Sequence, residues 1–157
     1  MLRVLLALML LFGAPFAAHA NEVPERVQRF LDEARNNCLK AGGTPAAAPK
    51  ITSLDLNGDG HPDWIVHYEG YCLTAPNQSC AGPRGNCVIE IFLGQPDGSV
   101  RFFLMQSTIS WRTDRILGRP ALIFHRPNDF CRDRKQQICD ERYIFERNGG
   151  FRHLPYR

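Results

Sequence analysis

The chain has 157 residues, 19 Lys and Arg against 16 Asp and Glu, and a formal net charge of +3. That length suits one domain able to bury a modest core. The near balance of charge makes no case for a nucleic-acid partner, and the aromatics are not interleaved with basic residues as a single-strand platform requires.

The N-terminus reads Met1-Leu2-Arg3, an apolar run from Val4 to Phe12, then Ala17-Ala18-His19-Ala20. A basic start, a short apolar stretch and a small-residue exit are the three parts of a cleavable secretory signal. The run is short for a membrane span, which needs about 20 apolar residues. Residues 1–20 are therefore expected to be a signal peptide and 21–157 a single domain of the periplasm or the medium. No second apolar run follows, so no membrane span is expected once the signal is removed.

Residues 23–41 place Val27, Phe30, Leu31, Ala34 and Cys38 on one helical face, with Pro24 and Glu25 at the start and Lys40 and Gly42-Gly43 at the end. From Ile51 on, short β-rich runs alternate with turn residues: Ile51–Leu54, Trp64–Tyr68, Val88–Leu93, Val100–Met105, Ala121–His125, Tyr143–Glu146 and a weak one near Phe151. Short connections favour an antiparallel meander. The expectation is a disulfide-stapled α+β fold, an N-terminal amphipathic helix packed on one antiparallel sheet of five to seven strands.

All six cysteines, Cys38, Cys72, Cys80, Cys87, Cys131 and Cys139, follow the signal. An even count in an exported chain predicts three disulfides. Cys131 and Cys139 are expected to close their own polar loop. The other four admit three connectivities, and Cys38 on the helix predicts one bridge from helix to sheet. Charge is uneven: residues 21–100 hold six Lys/Arg against ten Asp/Glu, and residues 101–157 hold twelve against six. An acidic end suits a cation and a basic end an anionic surface.

One segment carries specific chemistry. Asp55-Leu56-Asn57-Gly58-Asp59-Gly60-His61-Pro62-Asp63 puts side-chain oxygens at positions 1, 3, 5 and 9 of a loop, with Gly at 6 and the main-chain carbonyl of His61 at 7. Calcium takes six to eight oxygens, and alternate residues of a curled loop can all face it. Clustered carboxylates are also costly unless a cation neutralises them.

These nine residues resemble the D-x-D/N-x-D-G-x-x-D calcium loop of EF-hands and of FG-GAP β-repeats. Position 12 is Val66 where an EF-hand carries a bidentate Glu, and Trp64–Tyr68 exits as a strand, which fits the FG-GAP form better. That family builds propellers from several copies, and one copy here excludes a propeller. The wider arrangement is similar to small exported Cys-rich bacterial proteins, a likeness that implies no activity. The resemblance implies calcium as cofactor, held weakly by Asp55, Asn57, Asp59, His61 and Asp63.

Catalysis finds little support: there is no G-x-S-x-G elbow, no zinc spacing among His61, His67, His125 and His153, and every Cys is expected to pair. His67 and His125 read as hydrogen-bonded sheet histidines. The segment 125–140 combines Arg126, Phe130, Arg132, Arg134 and Lys135 in one stapled loop, and Phe130, Arg132 and Arg134 are its candidate partner-binding residues. The expected function is a non-catalytic calcium-binding domain that meets an unidentified protein or envelope partner. The rivals are an inhibitor of an exported enzyme acting through 125–140, and an envelope hydrolase using acids near the calcium loop.

Overall fold

The computed structural model describes residues 22–46, 48–73, 87–131, 135, 137–146 and 150–154. The signal-like segment 1–20, Cys80, Arg132 and Arg134 lie outside them. The helical face predicted from Val27 to Cys38 forms a 16-residue helix, α1 (Glu25–Lys40), which buries Val27, Leu31 and Cys38. It stops where the amide of Gly43 turns back to the carbonyl of Cys38 (2.9 Å).

Among the described residues ten strands follow: β1 (Thr44–Pro45), β2 (Lys50–Leu54), β3 (Asp63–His67), β4 (Cys72–Leu73), β5 (Cys87–Gly94), β6 (Val100–Thr108), β7 (Ser110–Ile116), β8 (Arg119–Pro127), β9 (Ile138–Phe145) and β10 (Phe151–Leu154). They build two four-stranded antiparallel sheets, β2-β3-β5-β6 and β7-β8-β9-β10, and a ribbon of β1 with β4. This overturns the expected α+β fold of one helix on one meander. Strand makes up 53% of the structure, and the meander is divided into two.

The division falls at Thr108-Ile109-Ser110. Thr108 is fully buried, its hydroxyl directed at the carbonyls of Ser110 (2.5 Å) and His125 (2.9 Å). The amide of Ile109 bonds the same His125 carbonyl (2.9 Å), which ends the first sheet and starts the second.

Two hydrophobic clusters show the layering. Val27, Leu31, Trp64, Val66, Tyr68 and Phe92 join α1 to one face of the first sheet. Ile65, Ile89, Ile91, Leu122, Phe124 and Phe145 join its other face to the second sheet. The order is therefore helix, sheet, sheet. The middle layer is covered on both sides, and that is why β5 reads as a nearly unbroken apolar run.

Cys38 pairs with Cys72 (Cα–Cα 5.7 Å), tying the end of α1 to β4 in the small ribbon. Cys131 pairs with Cys139 (Cα–Cα 5.8 Å), as its spacing predicted. Cys87 is disulfide-bonded too. The two described bridges are consistent with an oxidising compartment. Among the described residues no helix is long and apolar enough to cross a membrane.

Candidate functional site

The acidic loop connects β2 to β3 at one end of the sandwich. Leu56, only 2% exposed, drops into the core between the sheets and anchors the loop from its second position. Around that anchor the chain curls over the Asp55 carboxylate, which accepts the amides of Gly58 (2.7 Å), Asp59 (3.2 Å) and Gly60 (3.0 Å). Gly60 sits at φ +86°, a left-handed conformation that side chains rarely adopt. Asn57 accepts the Asp59 amide (2.9 Å) and donates its own NH2 to the Asp59 carboxylate (2.8 Å). Asp59 in turn accepts the His61 amide (2.8 Å).

Asp63, the last loop position, behaves differently. It is fully buried, and its two oxygens accept the amides of Leu56 (2.7 Å) and of Gly94 (2.8 Å) at the end of β5. Gly94 permits that approach, because a Cβ there would stand 2.4 Å from the carbonyl oxygen of Pro62. Burial pushes the Asp63 carboxyl up to about 6; the two amides pull it down, and the nearby Asp59 and Asp55 charges push it further up.

Asp55, Asn57 and Asp59 thus share one exposed turn, while Asp63 is turned inward. The His61 side chain lines a separate groove with Trp64 and Gln95, so its share in an ion site is its carbonyl alone. Among the described residues no group of three or more His, Cys, Asp or Glu is placed to hold a metal ion. The loop has the donor chemistry of a hard-cation site without the closed arrangement of one.

Arg126 is buried, and its guanidinium lies 4.1 Å from the centroid of the Phe130 ring. Phe130, 41% exposed, packs one face on its own chain's cation and keeps part of its ring in solvent. Arg126 also faces the buried Glu141 (3.6 Å). Gln106, Tyr143 (3.1 Å) and His153 (2.9 Å) complete the ring of donors around that carboxylate. Sequence reasoning misses this polar centre between the sheets, although an acid between Cys139 and Tyr143 in an alternating strand is the signal that could have found it.

His125 is the hydrogen-bonded sheet histidine expected. Arg112 can only donate to its Nε2 (2.9 Å), so the proton sits on Nδ1, which donates to Asp140 (2.8 Å). His67 is not: its buried Nε2 has no hydrogen-bond partner among the described residues, and burial lowers its pKa.

No protein-family model, curated protein or solved structure matches this chain.

Proposed function

We propose that the chain is an exported, non-catalytic calcium-binding domain that meets a partner in the cell envelope. The observation that carries this reading is the curl of the loop around Asp55. Three consecutive amides held by one carboxylate bring the oxygens of Asp55, Asn57 and Asp59 onto a single exposed turn. Asp55, Asn57, Asp59 and the carbonyl of His61 would hold the ion, while Asp63, buried with both oxygens on backbone amides, would brace the loop from within. Bound calcium supplies positive charge where Asn57 now lends its NH2 to Asp59.

The ion's role is structural. Leu56 and Asp63 fasten the two ends of the loop to the core and to β5, so closing the loop stiffens that end of the sandwich. The affinity falls in the weak range of extracellular modules, about 10⁻⁴–10⁻³ M, because position 12 is Val66 rather than Glu. The export-like N-terminus and the disulfides support an envelope setting, where such a site can fill.

Calorimetric titration of oxidised residues 21–157 with calcium tests this. Heat that saturates in that range, and is lost in Asp55→Asn and Asp59→Asn, is expected. The same heat in both variants, or none in the parent, rejects the reading.

A second reading, an inhibitor acting through 125–140, is favoured by the exposure of Phe130 and Ile138 on either side of the Cys131–Cys139 bridge. It requires a partner whose capture survives chelation and fails in Phe130→Ala.

A further inference from the structure

On β5, Ile89, Ile91 and Leu93 face the second sheet, while Val88, Glu90 and Phe92 belong to the side that α1 covers. Glu90 thus puts an acid where the pattern of the strand asks for an apolar residue. It is 9% exposed, and its partner is the Tyr68 hydroxyl, which donates to it at 2.5 Å.

Glu90 lies at the base of a groove of about 440 Å³ between α1 and the first sheet. Phe30 and Phe102 both line it, their rings stacked on each other at 5.5 Å and 8°. Met105, 60% exposed, stands at the edge, and Glu33 adds a second carboxylate from the helix. Among the described residues no Lys or Arg lines the groove. Burial raises the Glu90 pKa, the Tyr68 hydrogen bond lowers it and the Glu33 charge raises it, and no cation of that lining offsets the two carboxylates.

The volume suits a small ligand, and aromatic faces next to a desolvated carboxylate recognise an organic cation. We propose that this groove binds a small protonated amine carried on an apolar body, with Glu90 as its counter-ion. The simpler role for Glu90 is to accept the Tyr68 hydroxyl. Glu90→Gln separates the two, since an amide oxygen still accepts that hydrogen bond, though more weakly, but carries no charge.

The test titrates 2-phenylethylamine, with neutral 2-phenylethanol as control, into oxidised residues 21–157 while amide NMR signals are followed. Saturable shifts at Val88–Phe92 are expected for the amine, with the alcohol at least about ten-fold weaker and Glu90→Gln weakening the amine by about as much. Met105→Lys places a cation at the exposed edge and is expected to abolish amine binding, which keeps the test decisive if Glu90→Gln does not fold. Equal binding of amine and alcohol overturns the proposal. So does unchanged amine binding in a folded Glu90→Gln or in Met105→Lys, or no saturation up to about 20 mM amine, the weak end for a ligand of this size.

Discussion

Asp63 has no exposed surface, two amide donors, and two like-charged neighbours in its own loop. Its carboxyl titrates at about 6 in the fold against an ordinary value of 3.8. A raised acid favours the protonated form in the native state, so its stabilising effect is complete below about 3.8 and is lost as pH rises through about 6. At 1.36 kcal/mol per pKa unit the loss is on the order of 3 kcal/mol. Urea unfolding at steps from pH 4 to 7 should show this slope in the parent and not in Asp63→Asn, compared as a difference because His67 and Glu90 also titrate away from their ordinary values. Identical slopes would show that Asp63 does not titrate as described. The acidic loop is legible in the sequence, since alternate oxygens and Gly60 are local features. Asp63 turned inward is not, because that depends on Gly94, 31 residues further on.

The hairpin of β7 and β8 shows why the strand pattern reads as a single sheet. β7 is an edge strand of mostly exposed residues, SWRTDRI, and its charged side chains answer to ion pairs across a solvated face rather than to an apolar stripe. Arg112 reaches Asp114 and Asp140 there (both 3.9 Å), the kind of surface pair worth at most about 1 kcal/mol. Nothing in such a strand announces itself by alternation. Without it, two four-stranded sheets read as one. By contrast α1 is plain, because three turns of apolar spacing over Val27, Leu31 and Cys38 are a local signal. The β7–β8 turn also stores strain: Leu117 sits at φ +53° with 87% exposure, beside Gly118. Two-residue hairpin turns with positive φ favour Asn-Gly. Leu117→Asn should therefore stabilise the protein by about 1 kcal/mol, raising the melting temperature by a few degrees. An unchanged or lowered melting temperature would mean that Leu117 makes contacts which offset its backbone.

Among the described residues three layers share one middle sheet, and the two described bridges join the helix to the ribbon and close the 131–139 loop. The Cys38–Cys72 bridge spans 34 residues and fixes the helix to the ribbon beside it. On chain-entropy grounds a loop of that size stabilises by about 3–4 kcal/mol. The pair Cys38→Ala with Cys72→Ala should lose roughly that much in urea unfolding and leave the sandwich core cooperative. A loss below about 1 kcal/mol would show that α1 holds by its apolar face alone. Leu56 and Asp63 fasten the loop at the other end of the first sheet, where the proposed calcium would take the place of a covalent bridge. The most direct measurement is the melting temperature of oxidised residues 21–157 at pH 7, with about 10 mM calcium against chelator, for the parent and for Asp59→Asn. A site of about 10⁻⁴–10⁻³ M predicts a gain of roughly 1.4–2.7 kcal/mol and a rise of several degrees in the parent alone. Melting temperatures that calcium leaves unchanged, or raises equally in Asp59→Asn, would contradict the account.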